Sequence, residues 1–381
     1  MKMAGLYIHI PFCRSRCIYC GFYSTTRLDL RQKYVDALCC EMVIRRRRKE
    51  DGGRRNDEEI ETIYIGGGTP SQLSTGQLRQ LFIYINKVYD HRAMEITIEM
   101  NPDDVSPEYV ANLSQLGINR VSMGAQTFDD HRLGFLRRRH TAAQVNQAVS
   151  MLRSAGIRNI SVDLMYGFPG ETLNDFRQDI DAALSLDVEH ISAYCLMIEE
   201  GTVLFEQMRN EEMRNEETRN EERERAMYEL LIDKLTAAGY EHYEISNFAR
   251  PGFRSRHNSS YWHDIPYIGL GAAAHSYDGH SRSWNVSNIQ EYIAAINCGN
   301  LPSEKEVIDE VTHYNDRITT ALRTCDGLDL TNLTDRFRKY CLQEAQPSLR
   351  NGLLQLQGDC LRLTRQGLFV SDMVMSSLVM V

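Results

Sequence analysis

The chain has 381 residues, 42% of them hydrophobic, and a formal net charge of −9. That length supports a large core in more than one unit, and the acidic balance argues against nucleic-acid binding driven by phosphate contacts. No run approaches the roughly 20 apolar residues of a membrane span. No basic-then-apolar leader precedes the first strand pattern. The ten cysteines are scattered without a framework spacing outside one N-terminal cluster, so the expected compartment is the reducing cytoplasm.

In chain order, short β-rich runs alternate with helix-like stretches. Strands are expected at Leu6–Ile10, Thr62–Ile65, Glu95–Met100, Arg120–Gly124, Ile160–Met165 and His190–Leu196. Amphipathic helices are expected between them at Leu30–Arg46, Thr75–Val88, Pro107–Leu116, Ala142–Ala155 and Leu173–Leu184. Ser106 followed by Pro107 reads as an N-cap and first helical residue, and Gly117 and Gly156 read as helix stops. Near-continuous apolar strands in a βα alternation predict a parallel sheet of six units. The basic run Arg45–Lys49 reads as a solvated helix end.

Residues 207–226 carry a five-residue Arg-Asn-Glu-Glu repeat, read as a charged insertion whose repeats share no helix face. A further helix pattern runs from Ala226 to Ala238. Residues 241–285 are then rich in aromatics, His and Gly, and 302–381 reads as a small helical unit with a hairpin or wing at Leu353–Thr364.

The chemistry concentrates in a C-x3-C-x2-C loop, Cys13, Cys17 and Cys20, directly after the first strand. Three local thiolates suit an iron–sulfur cube with one open iron. The same residues would also suit buried thiols, a disulfide with a spare, or a zinc site short of one ligand. Zinc loops, however, usually pair two C-x2-C halves, and no second pair is visible. Polar or Gly-rich groups follow the next strands as well: Gly66–Pro70, Glu99-Met100-Asn101-Pro102, Gln126, and Asp163 through Pro169. In parallel βα folds the site lies at the C-terminal strand ends, where these groups would converge.

Together these motifs resemble the radical S-adenosylmethionine superfamily. Within it they are similar to the group of oxygen-independent coproporphyrinogen III oxidases and the related heme chaperones of the HemW type. The resemblance covers nearly the whole chain outside the repeat. It implies an α/β fold, a partial (β/α)6 radical-SAM barrel with a smaller, mainly helical C-terminal domain. The expected division is 1–245 for the barrel, 246–300 for an aromatic, His- and Gly-rich extension, and 301–381 for the C-terminal domain. The resemblance further implies a [4Fe-4S] cluster on Cys13, Cys17 and Cys20, with S-adenosylmethionine at the fourth iron. Tyr7 and Tyr19 would flank it, and Gly67, Gly68 and Thr69 would meet its methionine amino group. Glu99, Gln126, Arg138 and Asp163 would contact the rest of the cofactor.

Two departures separate this chain from the oxidases. They carry a further cysteine where Phe22 stands, and a longer N-terminal extension than the six residues before Tyr7. The run His257-Asn258-Ser-Ser-Tyr261-Trp262 matches a motif associated with heme binding in the chaperones. A neutral imidazole can ligate heme iron, and the rings offer flat apolar surface. Read without the resemblance, His257 is a hydrogen-bonded interior histidine in an aromatic patch rather than a ligand; His275, in a small-residue run that close packing explains, is a second candidate for heme. The expected function is a heme chaperone that passes heme to acceptor hemoproteins, membrane-associated respiratory ones among them, without a nucleic-acid partner. The alternative is radical oxidative decarboxylation of coproporphyrinogen III to protoporphyrinogen IX, which the loss of a cysteine at Phe22 disfavours.

Overall fold

The structure is a computed structural model that describes residues 2–51, 58–89, 91–209 and 221–381. The central part of the 207–226 repeat lies outside the described residues. Six parallel strands run in chain order across one sheet: β1 (Lys2–Ile10), β2 (Glu58–Gly67), β3 (His91–Met100), β4 (Arg120–Gln126), β5 (Asn159–Tyr166) and β6 (His190–Cys195). Helices Arg31–Asp51, Thr75–Val88, Pro107–Gln115, Ala142–Ser154 and Leu173–Ser185 connect them as expected, and a short helix, Asp130–Phe135, was not anticipated. Ser74, Ser106 and Thr172 cap their helices through side-chain oxygens that accept backbone N–H groups.

The sheet does not close. Beyond β6 it continues with the antiparallel β8 (Asn247–Ala249) and β7 (Glu241–Glu244). Beyond β1 it continues with β9 (Tyr267–Leu270), β10 (His275–Tyr277), β11 (Ser281–Asn285) and β12 (Ser303–Val307). The small-residue run before His275 serves this packing. A Cβ on Gly269 would strike the His275 carbonyl, and one on Gly271 the Tyr34 hydroxyl.

The strands are not the near-continuous apolar runs expected; they alternate. Leu6, Ile8, Ile10, Ile63, Ile65, Ile96, Ile98, Val121 and Met123 belong to the apolar core, together with buried residues of the connecting helices. The intervening residues form a buried polar inner face that includes Thr62, Glu95, Thr97, Arg120, Ser122, Ser161, His190 and Ser192. A sheet with one side against helices and the other around a polar hollow needs this period of two. The inner polar groups bond one another. His190 lies 2.7 Å from Ser161 Oγ and 2.8 Å from Tyr243 Oη, so desolvation is offset by hydrogen bonds.

The Arg45 end of the first helix also departs from expectation. Arg45 turns inward to the fully buried Glu41 at 2.8 Å. Glu41 additionally accepts from Gly271 N (2.8 Å), Asn285 Nδ2 (2.8 Å) and Tyr292 Oη (2.6 Å). This buried charge is tolerable because it is paired and fully hydrogen-bonded, and it fastens the helix to the β9–β11 extension.

The C-terminal residues pack around their own apolar cluster, with Tyr314, Ile318, Leu322, Phe337, Leu361 and Leu378 at its centre. The expected wing is the hairpin β14 (Leu354–Gln357) and β15 (Cys360–Leu363), joined by β13 (Leu328–Asp329) in a three-stranded sheet. Arg323 ties this unit to the large sheet through Glu244 of β7 at 3.0 Å.

Candidate functional site

The cysteine loop is held at its neck and at its middle. At its neck, Cys13 N–H donates to Thr25 O (2.9 Å) and Thr25 N–H to Pro11 O (2.7 Å). At its middle, Ile18 is buried with Leu136, Met165, Phe168 and Leu204. Its backbone donates to Leu136 O (3.4 Å) and accepts from Leu204 N (2.8 Å). The loop can therefore be irregular and polar at its tip while one apolar side chain anchors it.

The three thiols are free and partly exposed, and they line one cavity of about 730 Å³. Cys13 Sγ lies 3.4 Å from Thr69 Oγ1, and Arg138 Nη1 lies 3.6 Å from Cys17 Sγ. Burial pushes the Cys13 and Cys20 thiols up. Among the described residues no three His, Cys, Asp or Glu side chains gather as the ligands of one metal ion. A cube spreads its corners more widely than a single-ion shell, and three thiols from one loop on a cavity wall fit that donor set.

The glycine turn after β2 lies flat against the end of β1. Gly67 has φ +114°, and a Cβ there would sit 2.5 Å from the His9 ring. A Cβ on Gly68 would sit 2.8 Å from the Pro11 carbonyl carbon, and its N–H donates to Ile10 O at 2.9 Å. Only glycine permits this approach. Glu99 accepts from Gly67 N (2.9 Å) and from Tyr64 Oη (2.8 Å), yet burial outweighs these bonds and lifts its carboxyl to about 7.

Across the cavity, burial likewise lifts Asp163 to about 6, against the pull of Ser192, Arg120 and Arg138. Arg138 donates through Nη2 to Asn101 Oδ1 (2.8 Å) and Gly124 O (2.6 Å), while its buried Nε has no hydrogen-bond partner among the described residues. Burial pushes the Tyr19 phenol up, against the pull of the Arg138 charge. Gln126 stands in the left-handed region at φ 69°. Tyr7, Tyr19, Gly67, Gly68, Thr69, Glu99, Gln126, Arg138 and Asp163 all border the cavity that the three cysteines border.

The His257 motif is placed differently. Of His257, Asn258, Tyr261 and Trp262, only Asn258 borders the cavity. His257 is fully buried and stacks on Tyr64 with centroids 5.0 Å apart. Its Nδ1 meets Thr62 Oγ1 at 2.8 Å and its Nε2 meets Tyr261 Oη at 2.9 Å, so both ring nitrogens are engaged. Burial lowers its pKa to about 3, keeping the ring neutral. Trp262 lies outside this contact, under the Arg323 guanidinium at 5.1 Å. His275 is exposed and stacks on Trp284. Iron ligation by His257 would require one of its two bonds to open.

Comparison with known proteins places this architecture. The Radical SAM superfamily profile matches residues 7–183, and the HemN C-terminal domain profile matches 308–370. The heme chaperone HemW of Bacillus subtilis is 35% identical over 382 residues, spanning 98% of each chain. The heme chaperone HemW of Mycobacterium tuberculosis is 33% identical over 381 residues, spanning 98% of this chain and 94% of its own. This chain belongs to the HemW family of radical SAM proteins. Coproporphyrinogen III oxidase (HemN) from Escherichia coli shares the fold, with a TM-score of 0.84 over 99% of this chain and 90% of its own at 22% identity.

Within this HemW-family cavity, several lining residues had not been singled out from the sequence: His9, Tyr64, Arg120, Ser192, Tyr194, Cys195 and Met197. Most sit on the polar inner face of a strand, so period-two alternation was the signal that would have found them. No helix among the described residues is long and apolar enough to cross a membrane.

Proposed function

We propose that this protein binds heme in the cytoplasm and passes it to acceptor hemoproteins, carrying a [4Fe-4S] cluster on Cys13, Cys17 and Cys20. One observation carries the reading. Over 98% of its length the chain matches proteins named heme chaperones, and at the cavity rim Phe22, 72% exposed, stands where the oxidases add a further cysteine.

A cluster held by the three thiolates would leave one iron to the amino and carboxylate groups of S-adenosylmethionine and supply an electron to it when reduced. The chain's own groups do the rest. Glu99 and the glycine turn receive the methionine ammonium, and ionised Glu99 complements its charge. Asp163 accepts from the ribose hydroxyls, and the unspent Nε–H of Arg138 donates to the methionine carboxylate. Gln126 contributes an amide at the same wall, and Tyr7 and Tyr19 close the sides. Thr69 orients the Cys13 sulfur.

The test is transfer. Cluster-reconstituted protein loaded with heme is mixed anaerobically with apomyoglobin while the Soret band is followed. Movement of heme to the acceptor is expected. Retention of all heme by the donor, or protoporphyrinogen formation when coproporphyrinogen III is supplied instead, would contradict the reading.

A further inference from the structure

Several large apolar side chains are exposed at the mouth of the cavity itself: Phe22 at 72%, Met197 at 56% and Tyr194 at 44%. Phe22 ends the cysteine loop, and the other two lie at and just beyond the end of β6. These two segments are clamped together. Leu196 and Ile18 share one buried cluster, Leu204 N–H donates to Ile18 O, and the Glu199 carboxylate lies against Gly21. Apolar groups gathered around a cavity mouth, with a polar interior behind them, mark a binding surface rather than scattered exposure.

Charge is the second observation. Arg16 and Arg137 are exposed on the same lining, and neither has an ion-pair partner among the described residues. Arg16 makes one hydrogen bond, to Cys20 O at 3.4 Å. The backbone bond between Ile18 and Leu136 brings the two arginine-bearing segments side by side. Arg139, by contrast, is taken up by Asp103 at 2.5 Å and Asp104 at 3.4 Å. Arg137 holds φ 59° as the residue that ends the short helix Asp130–Phe135, where Arg138 N–H donates to Leu133 O at 2.9 Å, and this turn fixes its place on the rim.

We infer that this rim is the docking surface for a flat, apolar metalloporphyrin bearing two carboxylates. The ring rests on Phe22, Met197 and Tyr194, and the carboxylates reach Arg16 and Arg137. Glu199, the acid on the same rim, turns the carboxylates away from its side. The inference deepens the heme-carrier reading and rests on it. It also accounts for heme recognition in a structure whose His257 nitrogens are both engaged behind the cavity wall: ring and carboxylates are read at the mouth, with Asn258 the motif residue that borders the same space.

The experiment uses the full-length, cluster-reconstituted protein, titrated anaerobically with heme and with heme dimethyl ester, which lacks both charges. Phe22→Ala should bind both ligands about tenfold more weakly. The Arg16→Gln/Arg137→Gln double variant should bind heme roughly five- to tenfold more weakly and should no longer distinguish heme from the ester. The substituted side chains are exposed, and cluster absorbance with a thermal melt of each variant separates lost docking from lost fold. Wild-type heme affinity in both variants, with intact clusters, would overturn the docking surface and leave the carrier reading standing. Absence of saturable heme binding by the wild type would overturn both.

Discussion

The Glu99 carboxyl couples the cavity to pH in a way that can be measured. It accepts from Gly67 N and Tyr64 Oη at 2.9 and 2.8 Å, and burial still raises it from 4.5 to about 7. The folded chain therefore holds this proton more tightly than the unfolded chain does. The stability that comes from the protonated carboxyl is fully present below pH 4.5 and is lost as pH rises through 7. At 1.36 kcal/mol per pKa unit, the window corresponds to about 3 kcal/mol, and partial contact with solvent in the cavity reduces this to about 1.5 kcal/mol. Glu99→Gln keeps the shape and removes the titration. Urea denaturation of both proteins at pH 5 and pH 8 should then show the variant gaining about 1.5 kcal/mol relative to wild type at the higher pH. Asp163 and Glu171 are raised in the same direction by burial, so both proteins lose stability on the way up and only the difference isolates Glu99. A difference that stays constant across the range would refute the assignment of a buried, proton-retaining carboxyl at this wall.

Single Cys13→Ala, Cys17→Ala and Cys20→Ala variants should each lose the visible absorbance of the reconstituted cluster; undiminished absorbance in all three would remove the ligand set. Gly67→Ala forces a Cβ to 2.5 Å from the His9 ring at φ +114° and should cost roughly 2–4 kcal/mol in denaturant unfolding, together with S-adenosylmethionine binding. A wild-type melt would contradict the close approach drawn here. His257→Ala strands the hydroxyls of Thr62 and Tyr261 and opens a buried space, so a loss of roughly 2–4 kcal/mol is expected in chemical denaturation; a loss under about 1 kcal/mol would show that the ring does not brace the wall. Arg45→Ala leaves Glu41 buried without its cation and should destabilise by about 3–5 kcal/mol, against which an unchanged midpoint would count.

The local signals of the fold were strong. Thr75–Val88 is bounded by a serine cap, and Pro107 follows its cap at Ser106, so these helices matched their expected limits closely. What escaped was which face of each strand meets the core. Apolar residues such as Ile63 and Ile65 dominate the local pattern, although Thr62, Glu95, Arg120 and His190 alternate with core residues at the period of two that a polar-lined hollow requires. The same oversight hid Arg120 and Ser192 from the candidate site. Arg45 was misjudged for a different reason. Its partners Glu41 and Asn285 come together only when the β9–β11 extension joins the sheet, a contact between residues 240 positions apart. The cysteine loop and glycine turn were legible because their spacing and composition are chemically restrictive. His257 was only half legible, since a motif cannot state whether its ring nitrogens are already spent.

The most direct test of heme carriage is an anaerobic heme titration of the full-length, cluster-reconstituted protein, read from the Soret band against a buffer blank. Saturation at one heme per chain, with a spectrum distinct from free heme, is the predicted result. A linear, non-saturating rise indistinguishable from free heme would contradict it.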